Sequence, residues 1–313
     1  MARLIVTRLL LSIVLIVISS IAIFFLMSLV PGDPARTILG ANATPDAVAR
    51  LQDQLGLNQP LLVQYTTWLG GAVRGDLGES VFSGDPVVTL ILARVPVTLS
   101  LILLSTIVIA ALGTGLGLLS AVRGGPVGTF LDAISLVGLA LPSYWVAIVL
   151  VALFAVAIRI FPATGYTALT DDPGAWLLSL VLPVAALSLG GVTIVAKQMR
   201  DSAMDVLARD YIRVLRSTGV RERTIVLKHV LRNAALPSLT VLGLTVVGAL
   251  TGAVFVENVF VLPGLGTLVT QATTSHDLPV VLGVGVFFTL FVIIVNLIID
   301  VLYGVLNPKV RVQ

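Results

Sequence analysis

The sequence contains no cysteine, which excludes a disulfide framework, a zinc ribbon, an iron–sulfur site and a thiol nucleophile. Histidine is nearly as scarce. Only His229 and His276 occur, both outside the long apolar runs. No HExxH, no glycine-rich phosphate loop and no GxSxG elbow is present, so zinc hydrolysis, nucleotide binding and the hydrolase fold lose their usual signatures. Charge is the third shortage: 11% of residues are charged, against roughly 25% in an average soluble chain. A globule of 313 residues could not be covered with so few. Net charge is only +3 despite a pI near 9.5, too small for a nucleic-acid binder. Disorder is excluded by a hydrophobic content of 57%. What is abundant is apolar surface, with a mean hydropathy of +1.08. The chain belongs in a bilayer.

Six stretches are long enough to cross a hydrocarbon core of about 30 Å at about 1.5 Å per residue. They are Leu9–Val30, Val97–Leu119, Ile134–Ile158, Ala175–Ala196, Pro237–Val256 and Val280–Ile299, and none contains Asp, Glu, Lys or Arg. The runs are continuous rather than alternating and twice the length of a barrel strand, so they read as helices. The expected fold is an all-α integral membrane protein with six transmembrane helices. Arg3 and Arg8 precede the first run as in a signal peptide. That run is too long for a secretory core and no small-x-small cleavage site follows, so it reads as a retained anchor.

Basic residues set the orientation. With the N-terminus inside, the segments 1–8, 120–133, 197–236 and 300–313 carry 14 Lys and Arg. On the other side, outside the long first loop, Arg159 stands alone. Both termini are expected in the cytoplasm. The expected organisation is a tail at 1–8, a first span at 9–30, an external segment at 31–96, a transmembrane core at 97–304 and a tail at 305–313.

Two segments outside the lipid have internal order. In 31–96, Thr44 and Pro45 can start a helix that Gly56 ends, and Pro60 can start another carrying Leu61, Leu62, Tyr65, Trp68, Leu69 and Ala72. The glycines of Arg74-Gly75-Asp76-Leu77-Gly78 then predict a turn, and Pro86 to Val95 an amphipathic elbow along the interface. This segment reads either as a docking element or as a lid packed over the first helix. The segment 197–236 holds nine basic residues against Asp201, Asp205, Asp210 and Glu222. Met199 to Ser217 reads as one helix, with Ala203, Leu207, Tyr211, Val214 and Leu215 on one face. Gly219 breaks it, and Arg221 to Ala235 reads as a second helix leading into Pro237. Such a protrusion suits a grip for a soluble partner, or simply a basic anchor on the inner surface.

No catalytic or metal-binding residue is expected. Intramembrane proteases and ion-coupled carriers place ionisable groups at depth, whereas Asp132, Glu257 and Asp300 sit only at span ends. A solute path here would be lined by hydroxyls, amides and apolar groups: Ser100, Ser105, Thr106, Ser143, Tyr144, Ser188, Thr193, Thr245, Thr251 and Asn296 are the candidates. Each of these also suits an ordinary inter-helix hydrogen bond. The glycines at 113, 115, 117, 243, 248 and 252 read as helix contacts, and Pro142 and Pro183 as kinks.

Ordered along the chain are Val30-Pro31-Gly32-Asp33-Pro34, Leu55-Gly56-Leu57-Asn58-Gln59-Pro60-Leu61, Arg74-Gly75-Asp76-Leu77-Gly78, Leu141-Pro142-Ser143 and Phe161-Pro162-Ala163-Thr164-Gly165. The basic segment then reads Arg209-Asp210-Tyr211-Ile212-Arg213-Val214-Leu215-Arg216-Ser217-Thr218-Gly219 and Lys228-His229-Val230-Leu231-Arg232-Asn233-Ala234-Ala235-Leu236-Pro237, and the tail Asp300-Val301-Leu302-Tyr303 and Asn307-Pro308-Lys309-Val310-Arg311. With these pieces the chain resembles the permease subunits of binding-protein-dependent ABC importers, in the dipeptide, oligopeptide and nickel branch. The family's coupling motif, EAA, three residues, then Gly, is matched here by Arg213, Val214 and Leu215 ahead of Gly219: the glycine is kept, the acid and the alanines are not. The family's Leu-Pro stands here as Leu231-Arg232. Asn307 stands where the branch has Asp, and Lys309 where it has Arg.

The resemblance implies a type I importer permease fold in the bacterial inner membrane, working with a second, non-identical permease, two ATPase subunits and an external substrate-binding protein. ATP and Mg²⁺ would sit on the ATPases, and no cofactor on this chain. Its coupling residues would be Asp210, Tyr211, Arg213, Val214, Leu215, Arg216, Gly219, Val220, Arg221 and Arg223. Peptides are the implied cargo; nickel, glutathione or another small solute is the alternative within the same machinery. An ion-coupled secondary carrier and a membrane-embedded enzyme are the alternatives from other classes, and both lack the charge at depth that they need.

Overall fold

A computed structural model describes residues 2–40, 42–125, 128, 138 and 141–306. Among these residues every named element is helical, and the one sheet-like pairing is an isolated bridge between Glu79 and Pro86. In chain order the elements are α1 (Ala2–Ser28), α2 (Pro34–Leu39), α3 (Pro45–Gln54), α4 (Leu61–Ala72), α5 (Val87–Arg123), α6 (Ser143–Ala157), α7 (Pro173–Leu207), α8 (Asp210–Ser217), α9 (Glu222–Phe260), α10 (Leu265–Ser275) and α11 (Leu278–Leu306). Five of them, α1, α5, α7, α9 and α11, are long and apolar enough to cross a bilayer. The described part of the third predicted span is α6, whose second half is wound as a π-helix over Val151–Ala157. The rest of that span, with Asp132, lies mostly outside the described residues, as do the tail residues Asn307 to Arg311.

The chain divides into two compact units. The first takes Met1–Thr98 and Pro263–Ile294. Its cores are a cluster around Val87, Ile91, Leu265, Val280 and Val284, and a smaller one in which Phe24, Tyr65 and Leu282 meet. The Phe24 and Tyr65 rings stand edge to face at 5.4 Å, and the Tyr65 hydroxyl shares a 2.9 Å hydrogen bond with Ser20. The second segment of chain is thus packed onto the first helix. Its turns follow their residues: Asp33 caps α2 through the Ala35 N–H, Pro45 opens α3, and Leu57 N–H returns to Gln52 O beyond Gly56 to close it.

The second unit takes Leu99–Leu262 and Val295–Gln313. Its frame is α7 against α9, with α6 touching both. α5 and α7 approach closely because Gly113 and Gly117 offer no side chain: a Cβ on Gly117 would lie 2.3 Å from the Ala196 carbonyl oxygen. Gly243 and Gly252 are pressed in the same way against Ile299 and Leu187, whereas Gly115 and Gly248 face open space. The end of α11 is fixed by Tyr303, whose hydroxyl donates to Leu236 O at 2.8 Å.

Three expectations need correction. The predicted elbow at Pro86 to Val95 is no separate element, because α5 begins at Val87 and runs unbroken through Pro96 to Arg123. Pro237 does not start the fifth helix. α9 begins at Glu222 and carries Pro237 inside it, after a π-helical turn at Ile225–Val230. Pro142 is no kink either: it precedes α6 in extended conformation.

Candidate functional site

The basic segment folds differently from the single helix expected over Met199 to Ser217. α7 ends at Leu207, Arg209 takes an extended conformation (φ −73°, ψ 144°), and α8 restarts at Asp210. The break swings Ile212 inward. It is fully buried with Met199, Ala203, Val206, Ile225, Val230 and Ala234, and Leu215 and Val220 pack on the same cluster. The expected apolar face is therefore rotated. Tyr211 and Val214, placed on it by the one-helix reading, are 38% and 59% exposed.

A turn follows α8. Gly219 holds φ +78°, a region that costs an L-residue about 1–2 kcal/mol. This allows Val220 N–H to reach back to Leu215 O at 3.1 Å and closes the helix. Arg216 then clasps Glu222 with two hydrogen bonds, Nε to Oε2 at 3.1 Å and Nη2 to Oε1 at 2.6 Å. The hydrogen bonds that Arg216 donates to Glu222 hold its guanidinium above its ordinary value. Arg213 reaches Asp210 at 3.4 Å, and Asn233 bonds the Tyr211 hydroxyl. Arg213, Val214, Arg221 and Arg223 are left exposed around the turn. The result is a short helix anchored on one side by Ile212 and presenting a basic face with Val214 and Tyr211 on the other. Such a surface suits a protein partner better than water alone, because apolar groups amid cations gain from being covered.

The expected pathway residues fall into two groups. Ser143, Tyr144 and Thr251 line one open cavity of about 540 Å³ with Gly248, Gly252 and Phe255, and the Tyr144 and Phe255 rings meet edge to face at 6.5 Å. Ser188 and Thr193 line a different cavity between α5 and α7, their hydroxyls donated to Ala185 O and Gly190 O of their own helix. Thr245 likewise bonds Val241 O. Asn296 is exposed on α11 and joins neither group. Ser105 is buried with no hydrogen-bond partner among the described residues, and Thr106 donates to Ile102 O.

A polar anchor in the first unit was not legible in the sequence. Asp277 is 3% exposed and accepts from the Ser80 hydroxyl and, at 3.3 Å, from Val81 N–H. Beside it His276 adopts φ +62°, and its Nε2–H donates to Pro31 O at 3.0 Å. The ring occupies the place of a side chain at position 32: a Cβ on Gly32 would lie 2.0 Å from Nε2. The motif residues Pro31 and Gly32 are thus locked to the turn between α10 and α11.

The family described as "Binding-protein-dependent transport system inner membrane component" matches residues 113–312, and its N-terminal companion, a membrane component of the same systems, matches residues 1–102. The chain belongs to this family. Its helical architecture is the type I importer permease fold, and its role in such a system is transport rather than catalysis. A protein of Brucella abortus (strain 2308), provisionally assigned as a peptide transport system permease, is 39% identical over 312 residues, 99% of each chain. The oligopeptide transport system permease AppB of Bacillus subtilis (strain 168) is 35% identical over 315 residues, 99% of this chain and 100% of its own.

Proposed function

We propose that this chain is one permease of an ATP-driven peptide importer, and that α8 with the Gly219 turn is its contact with a separate ATPase subunit. The observation that carries the contact is the surface around the turn: α8 is buried through Ile212 and exposed through Arg213 and Val214, and Arg221 and Arg223 stand exposed just beyond Gly219. Peptide cargo rests on full-length similarity to permeases named for peptides.

The mechanism is mechanical. α7 and α9 have 35 and 39 residues, or about 52 and 58 Å of helix against a hydrocarbon core of about 30 Å. Both project well beyond the lipid on one side, and α8 joins their ends. The cluster around Ile212 and Ile225 couples α8 to both helices, so a displacement of α8 moves the bundle that carries Ser143, Tyr144 and Thr251. Closure of two nucleotide-bound ATPases, holding ATP and Mg²⁺, would supply that displacement. A second, non-identical permease would complete the path, an external binding protein would deliver the peptide, and both termini would face the cytoplasm.

Uptake of labelled di- and oligopeptides by cells with and without the chain tests this reading, together with co-purification of an ATPase. Uptake that requires the chain and ATP supports it. Accumulation by the chain alone in vesicles under an ion gradient would sink it in favour of a secondary carrier. Uptake of nickel or glutathione but not peptide would move the cargo and leave the machinery.

A further inference from the structure

The cavity between α5 and α7 has a volume of about 370 Å³, within the range of small-ligand sites. Its walls are apolar, with Leu112 and Leu116 on one helix facing Leu189 and Val192 on the other. Along α5 the lining runs from Val108 to Ser120, twelve residues or about 18 Å, close to the half-thickness of about 15 Å of a hydrocarbon core.

One end is polar. Ser120 lies there with Lys197 and Arg200. A Cβ on Gly128 would sit 3.4 Å from Arg200 Nη2 and 3.6 Å from Ser120 Oγ, so these two groups are neighbours. Ser120 is 3% exposed, and among the described residues its buried hydroxyl has no hydrogen-bond partner. Lys197 makes a long, exposed pair with Asp201, at 3.7 Å. An apolar slot one leaflet deep, ending in two cations and in a buried hydroxyl that no described residue bonds, has the chemistry of a phospholipid. The slot takes an acyl chain and the polar end takes a phosphate.

We infer that this cavity binds one anionic membrane phospholipid, its phosphate held by Ser120, Lys197 and Arg200. Peptide cargo fits poorly, because the Ser188 and Thr193 hydroxyls in the wall are already bonded to their own helix. Free phosphate would leave the apolar length unused. The inference is independent of the cargo.

The test is native mass spectrometry of the full chain, purified with whatever subunits accompany it, from bilayers of equal phosphatidylglycerol and phosphatidylethanolamine. One phosphatidylglycerol should be retained per copy in preference to phosphatidylethanolamine. Retention should fall about fivefold for each charge removed in Lys197→Gln and Arg200→Gln, as expected for single basic residues at an anionic surface. Leu116→Trp, which fills the slot and keeps both charges, should abolish it. Circular dichroism and monodisperse elution show that each variant is folded. Equal retention of the two lipids, unchanged retention in the folded variants, or displacement of the lipid by inorganic phosphate or by peptide overturns the proposal.

Discussion

The two segments with most structure outside the apolar helices, 31–96 and 197–236, both rest on apolar clusters but differ in what is added to them. The first is fastened by directional polar contacts: Ser80 and Val81 on Asp277, His276 on Pro31, Tyr65 on Ser20 and Trp68 Nε1 on Leu77 O. The second depends on a small apolar cluster around Ile212 and Ile225, and its pairs Arg213–Asp210 and Arg216–Glu222 lie at the surface. Buried hydrogen bonds fix a geometry because an unpaired group left behind is costly. A small apolar cluster keeps parts together while permitting modest rearrangement, since packing is not directional. The first arrangement suits a fixed platform and the second a joint that transmits force.

The comparison breaks most visibly at the joint. Ile212→Ala removes the side chain that seats α8 and should cost about 3 kcal/mol locally, the usual range for a buried aliphatic truncation. Hydrogen exchange over 209–220 should accelerate strongly, and uptake should be lost while the chain still inserts. Unchanged protection would mean that α8 is held by something other than the cluster. On the platform side, Asp277→Ala leaves the Ser80 hydroxyl and the Val81 N–H without their acceptor. Removing a hydrogen-bonded carboxylate costs about 2 kcal/mol, so limited proteolysis within 79–86 should speed up and exchange at 209–220 should not change. Asp277→Asn keeps one acceptor oxygen and should do about half as much.

Much of this could be read directly from the residues, and the exceptions share a cause. The spans announce themselves because ionisable groups cannot be hidden at depth, and Pro45 and Gly219 mark a helix start and a helix end because their backbone limits are local. The break at Ala208-Arg209 has no such marker. It exists because Ile212 gains more by joining Ile225 and Val230 than by continuing the helix, and that is a tertiary preference. The π-turns at Val151–Ala157 and Ile225–Val230 are equally unannounced by Pro or Gly. Nothing local marks Asp277 as an anchor, since its partner Ser80 is 197 positions away in sequence. Pro237 misled in the other direction, and Pro96 likewise lies inside a long helix. Inside long helices packed on neighbours, the loss of one backbone donor is tolerated.

Within the joint, the turn should matter more than the salt bridge. Gly219→Val places a β-branched side chain at φ +78°, a strain of about 1–2 kcal/mol confined to the turn, since no atom crowds the position. The chain should insert normally, and ATP hydrolysis should become uncoupled from uptake. Wild-type uptake in this variant would remove the turn from the mechanism. Arg216 and Glu222 form the shortest ion pair across the same turn, 2.6 Å, but both side chains are nearly half exposed. An exposed pair of this kind contributes on the order of 0.5 kcal/mol. In a double-mutant cycle on Arg216→Ala and Glu222→Ala, the coupling energy from unfolding of 209–223 should be no larger, and it should shrink further in salt. If Arg216→Ala alone abolishes uptake while leaving exchange in the turn unchanged, the guanidinium acts on the partner rather than on Glu222. The exposed face of α8 then extends to Arg216, and the turn serves to present it.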